Sequence, residues 1–230
     1  PGSAEHWYCT VCEKYFADKN PTIEGVEIDE KITALSKKYF NTSDDVKVTT
    51  YDGRAYLNAV KNTYDVIMVD AYQDITIPFQ MSSKEFFTLV KEHLKPDGVM
   101  VVNMNMRGGG EGNINQYLSD TISTVFPEVF TVDVSNSSNR VLFASDNAKT
   151  TQVFDNNLAR VTDTSLYSAM YEVKTNYEKY SPTGKYILTD DKAPVELLGM
   201  KVVDRMISDE LSYYKEIFKK EGLKGLLSSF

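Results

Sequence analysis

The stretch Tyr64-Asp65-Val66-Ile67-Met68-Val69-Asp70 decides the fold. It is a near-continuous apolar run that ends in a carboxylate, as expected of a strand covered on both faces in a parallel sheet. Working outward, the hydrophobic period switches repeatedly between two and about 3.6 residues. Upstream, residues 22–28 read as a buried strand, residues 30–40 as a helix with Ile32, Leu35 and Tyr39 on one side, 46–51 as a strand and 54–61 as a short helix. Downstream, Ser82 or Ser83 can cap a helix carrying Phe86, Phe87, Leu89, Val90 and Leu94. Lys95-Pro96-Asp97-Gly98 supplies turn chemistry to stop it. Residues 99–103 form a further strand, 113–126 an amphipathic helix, and 129–134 with 140–144 a final strand pair around the turn residues 135–139.

Successive βα units imply a mostly parallel sheet with helices on both faces, and the adjacent last strands imply an antiparallel far edge. That combination is the Rossmann-like α/β architecture of S-adenosylmethionine-dependent methyltransferases. After about residue 150 the chain turns to helices rich in Tyr, Lys and Glu. Residues 4–150 are therefore read as the core and 151–230 as a helical appendage packed on it. The Tyr-rich helices around Tyr167, Tyr171, Tyr177, Tyr180, Tyr213 and Tyr214 suit packing or an interface.

Composition narrows the function. Over 230 residues, hydrophobic residues make up 42% and charged residues 25%, a globular balance. The formal charge of −8 argues against nucleic acid, because phosphate backbones call for basic patches. No run approaches the ~18 apolar residues of a membrane span, and no signal peptide is legible. The two cysteines, Cys9 and Cys12, have no second Cys pair, and the two histidines, His6 and His93, are far apart in sequence. They are read as ordinary thiols rather than as a metal or redox site, which fits a cytoplasmic setting.

In open α/β sheets, ligands bind beyond the carboxyl ends of the strands, and three such ends carry carboxylates here. At Val26-Glu27-Ile28-Asp29 a carboxylate can accept from both ribose hydroxyls of a nucleoside, while Asp29 can equally cap the following helix. At Tyr51-Asp52-Gly53-Arg54, Asp52 can accept from an adenine amino group and Gly53 can admit the base close to the backbone; a plain turn is the alternative. Asp70 can act as a general base or as counter-ion to a cationic substrate. Arg107-Gly108-Gly109-Gly110-Glu111-Gly112 lacks the Lys-Ser/Thr ending of a phosphate loop and is read as a surface loop or flap. His93 is read as exposed, and Asp190-Asp191 as a capping or surface pair.

These stretches together resemble the spermidine synthase (polyamine aminopropyltransferase) family. Gly-Val-Glu-Ile-Asp at 25–29, Asp-Gly-Arg-x-Tyr-Leu at 52–57 and Tyr-Asp-Val-Ile-x-x-Asp at 64–70 follow the family's order and spacing. Pro78-x-x-Met-Ser-Ser-x-Glu-Phe-Phe and Leu94-Lys95-Pro96-x-Gly98 are similar to it as well. The likeness spans roughly residues 13–145. Leu188-Thr189-Asp190-Asp191-x-Ala193-Pro194-Val195-Glu196 resembles a motif of a spermidine-synthase-like branch.

The resemblance implies transfer of an aminopropyl group from decarboxylated S-adenosylmethionine to a small diamine such as putrescine, without a metal. It places Glu27, Asp29, Asp52 and Gly53 on the donor nucleoside, Asp70 at the catalytic position, and Tyr72 and Asp74 along the amine. It also implies a homodimer. Two departures stand out. The family's first strand and its Gly-rich loop are missing or degenerate ahead of the Glu27 strand. In Asp70-Ala71-Tyr72-Gln73-Asp74 the second carboxylate comes one residue late. An S-adenosylmethionine-dependent methyltransferase and a non-catalytic nucleoside-binding scaffold are the alternative readings.

Overall fold

Short side-chain caps start most of the helices that frame the sheet. In the computed structural model, which describes residues 22–39, 46–71, 77–104, 110–135, 137 and 139–228, strand β1 (Glu24–Glu27) leads into helix α1 (Glu30–Tyr39). The Lys31 amide donates to Asp29 Oδ1 at 2.7 Å, so the residue ahead of α1 caps it. Strand β2 (Lys47–Thr50) returns parallel to β1, with Glu24 opposite Lys47 and Glu27 opposite Thr50. Asp52 then caps helix α2 (Gly53–Ala59) by accepting from the Ala55 amide.

Among the described residues five strands form the second sheet. Strand β3 (Tyr64–Val69) is followed by a 3₁₀ turn (Phe79–Met81) and helix α3 (Lys84–Glu92), capped by Ser83. Strand β4 (Leu94–Met104) runs parallel to β3. Helix α4 (Ile114–Ser123), capped by Asn113, leads to β5 (Glu128–Asp133) and β6 (Arg140–Ser145). β6 lies antiparallel between β4 and β5, which makes the antiparallel edge. Helices α5 (Thr150–Leu158) and α6 (Thr164–Asn176) precede a two-residue strand β7 (Glu178–Lys179) that extends the edge beside β5. The long helix α7 (Val195–Ser228) closes the chain, broken at Gly222, whose φ of 65° is a left-handed conformation.

The core lies between the second sheet and α3 and α4. Phe86, Phe87 and Val90 of α3, Met100 and Val102 of β4, Ile122 of α4 and Leu142 of β6 are all buried there. Leu188 and Val195, from beyond the sheet, belong to the same cluster. Burying such side chains is worth about 1.5–3 kcal/mol each.

The structure corrects several sequence readings. Among the described residues β3 is covered on one face only: Val66 and Met68 are 51% and 63% exposed, while Val69 on the other face is buried. A run of apolar residues cannot by itself distinguish one covered face from two. Lys95-Pro96-Asp97-Gly98 falls within the β4 span but pairs with neither neighbour. The register steps from Tyr64 opposite Leu94 to Val66 opposite Val99, and a Cβ on Gly98 would stand 3.0 Å from the Lys95 carbonyl, so the four residues turn out of the strand.

The pairs β1–β2 and β3–β4 belong to two separate sheets, and among the described residues no strand joins them. The link at their starts is a side chain: Tyr64 Oη donates to Glu24 Oε2 at 2.7 Å. That bond, with further donors from Asn62 and Tyr56 and the nearby Lys47 charge, holds the Glu24 carboxyl below its ordinary range despite partial burial. Burial, together with the Glu24 carboxylate, pushes the Tyr64 hydroxyl well up.

Candidate active site

Parallel pairing sets two of the three carboxylate-bearing strand ends side by side. Because Glu27 pairs with Thr50, the chain after β2 turns back onto the end of β1, and the Tyr51 amide donates to the Glu27 carbonyl at 2.9 Å. Glu27 Oε1 accepts the Asp29 amide at 3.0 Å, which folds its carboxylate over the turn into α1. Glu27, Asp29 and Asp52 thus share one edge. For Asp29 the capping role read as an alternative is realised. For Asp52 the cap uses Oδ1, at 2.8 Å from the Ala55 amide. Gly53 opens α2, and a Cβ there would stand 3.4 Å from the end of the Met81 side chain, an ordinary contact.

Asp70 stands immediately after β3 on the other sheet. The register that pairs Val69 with Val102 brings Asn103 of β4 beside it, and Asn103 Nδ2 donates to Asp70 Oδ1 at 2.9 Å. Asp70 is half-buried next to the buried Val69, so its carboxylate is held by Asn103 in a residue that keeps partial exposure. The sequence reading missed Asn103. Its signal was a single amide interrupting the apolar run Val99–Met104 on the neighbouring strand. Tyr72 and Asp74 lie outside the described residues, as do Cys9 and Cys12.

Asp190 is not a helix cap. It forms a forked ion pair with Arg54 at 2.7 and 2.6 Å, two residues beyond Asp52. The guanidinium holds the Asp190 carboxyl below its ordinary range, and the carboxylate raises Arg54 in turn. His93 is not exposed either: its ring bridges the Leu89 and Val60 carbonyls at 2.9 and 3.2 Å. Of the Gly-rich segment, residues 110–112 are described. Gly112 donates to Gln116 Oε1 at 2.7 Å, with its Cα packed towards the Tyr186 ring, so this end of the segment is anchored.

Among the described residues no group of three or more His, Cys, Asp or Glu is disposed to hold a metal. No described helix is long and apolar enough to cross a membrane.

Two parallel βα pairs, an antiparallel edge and carboxylates at the strand ends define a Rossmann-like α/β domain of the methyltransferase type. A crystal structure of a probable spermidine synthase from Corynebacterium glutamicum shares the fold, with a TM-score of 0.54 at 21% identity, over 80% of this chain and 65% of that one. So does a spermidine synthase in complex with the transition-state analogue AdoDATO, with a TM-score of 0.58 at 19% identity, over 74% of this chain and 64% of that one. The family model for the spermine/spermidine synthase domain matches residues 10–157, and the chain belongs to that family. A probable polyamine aminopropyl transferase of Bifidobacterium longum is 49% identical over 236 residues, which covers 96% of this chain and 52% of the relative. The chain spans about half the length of the curated relatives it matches.

Proposed function

We propose that the chain carries the donor and amine sites of a polyamine aminopropyltransferase, moving an aminopropyl group from decarboxylated S-adenosylmethionine to a small diamine such as putrescine. The observation that carries this reading is the pairing of Asp70 with Asn103 at the carboxyl end of β3, in a chain of this family. An oriented carboxylate at that position attracts an ammonium group and accepts its proton as the amine becomes a nucleophile. The amine nitrogen then forms a bond to the carbon next to the sulfonium. The carbon–sulfur bond breaks, and its electron pair stays on sulfur, leaving neutral methylthioadenosine. Since the sulfonium is already a good leaving group, the protein's task is alignment and exclusion of water.

In this reading Glu27 accepts from the ribose hydroxyls, with Asp29 supporting it through its amide. Asp52 accepts from the adenine amino group beside Gly53. Tyr72 and Asp74, which follow Asp70 in sequence, line the amine. Residues 4–150 form the nucleoside-binding core and 151–230 the appendage, and the protein works as a cytoplasmic homodimer.

Titration calorimetry with methylthioadenosine, followed by an assay for spermidine from the donor and putrescine, tests the reading. Binding with spermidine formation is expected. Methyl transfer from S-adenosylmethionine would point to the methyltransferase alternative, and binding without transfer to a scaffold. A folded chain that binds no nucleoside would overturn the donor assignment.

A further inference from the structure

A connection between the carboxyl-terminal segment and the donor side of the site runs through Arg54. After β7 the chain crosses α4 and reaches the start of α3, where Leu188 is fully buried and its carbonyl accepts the Lys84 amide at 2.9 Å. Residues 189–192 then make a tight two-residue turn, closed by hydrogen bonds in both directions between Thr189 and Lys192 at 3.1 and 2.9 Å. Val195, just beyond, is fully buried as well. With both flanks anchored, the Asp190 carboxylate is delivered to a fixed place.

Arg54 and Ser83 meet the carboxylate there, and Glu85 takes the backbone amide. Arg54 contributes the forked pair, Ser83 Oγ donates to Asp190 Oδ1 at 2.5 Å, and the Asp190 amide donates to Glu85 Oε2 at 3.0 Å. Arg54 Nη1 also donates to the Gln80 carbonyl at 3.0 Å. Arg54 is therefore clamped between the 3₁₀ turn and the Asp190 turn, with its side chain 22% exposed. A fork matched to a carboxylate fixes direction as well as distance, which a lysine would not.

Arg54 sits in the first turn of α2, two residues after Asp52. That helix is only seven residues long and buries just Tyr56 and Leu57. A helix so short gains little from its own hydrogen bonds, so its position depends on what grips it from outside. We propose that Asp190 is a positioning residue: through Arg54 it sets the Asp52–Gly53 turn, and so makes affinity for the donor nucleoside depend on the carboxyl-terminal segment. This rests on the nucleoside reading of Asp52 and Gly53 given above.

The test compares the wild-type chain with Asp190→Asn, which keeps the shape and removes the charge, and with Asp190→Ala. Hydrogen exchange over residues 52–59 needs no ligand, and it should quicken in both variants. Methylthioadenosine should bind about tenfold more weakly in calorimetry, since small misplacements of a binding group cost that much or more. In the transfer assay the KM for the donor should rise while the KM for the amine stays put, a split that general loosening of the fold would not produce. Unchanged exchange at 52–59 would overturn the proposal whether or not the chain binds nucleosides, as would donor affinity within twofold of wild type. Were the wild-type chain to bind no methylthioadenosine, the donor assignment would fail, and the exchange result would still decide whether Asp190 holds the turn. If Asp190→Ala does not fold, Asp190→Asn alone carries the comparison.

Discussion

Replacing Asp120 with alanine should release the segment that crosses α4. Asp120 is completely buried on that helix, and its carboxylate accepts from Tyr180 Oη at 2.8 Å, the Thr183 amide at 2.9 Å, the Thr183 hydroxyl and the Tyr186 amide at 3.2 Å. One side chain thus pins both ends of the 180–186 segment. Alanine leaves four donors without their acceptor in a part-buried site. At about 1 kcal/mol for each, the loss comes to about 4 kcal/mol. With a urea slope of about 3 kcal/mol/M, the midpoint should fall by more than about 1 M, read by far-UV circular dichroism. The pH dependence has a definite sign. Burial pushes this carboxyl up, but the hydrogen bonds from Thr183, Tyr180 and Tyr186 outweigh it and hold it below its ordinary value of 3.8. A depressed carboxyl contributes its full stability above that ordinary value and loses it as the pH falls through the folded value. Asp120→Asn should therefore be weaker than wild type at pH 7, and the gap should narrow below about pH 4. A midpoint shift under about 0.3 M, or a gap that is constant from pH 7 to pH 3, would show that Asp120 does not hold the 180–186 segment in this way.

Two further outcomes follow from single side chains. Asn103→Ala removes the donor that orients Asp70; turnover should fall about tenfold or more with donor affinity unchanged, measured by transfer assay and calorimetry. Glu24→Gln weakens the tie between the starts of β1 and β3 and should cost about 1–2 kcal/mol in urea unfolding at pH 7. Because Glu24 is held below its ordinary 4.5, that cost should shrink as the pH falls beneath this value, and in the variant Tyr64 should ionise nearer its ordinary 10.0.

Local chemistry made much of the fold legible. Ser83, one of two capping candidates ahead of an amphipathic run, caps in the structure, and so does Asp29, whose capping role was the alternative to a nucleoside contact. The apolar runs ending in Glu27 and Asp70 are strands with those carboxylates at their carboxyl ends. What escaped was decided by partners far along the chain. Asp190 meets Arg54 across 136 residues, and Tyr180 meets Asp120 across 60, so neither pairing leaves a local pattern. Asn103 meets Asp70 only through the β3–β4 register. The open face of β3 depends on which elements stand beside it, which an apolar run does not encode.

The central claim is that Asp70 takes the proton of an attacking amine. Its most direct test is Asp70→Asn, with methylthioadenosine release followed at saturating donor and putrescine while calorimetry tracks nucleoside affinity. Turnover should fall about a hundredfold or more, with methylthioadenosine bound as tightly as by the wild type. Equal turnover in the variant would contradict that role for Asp70.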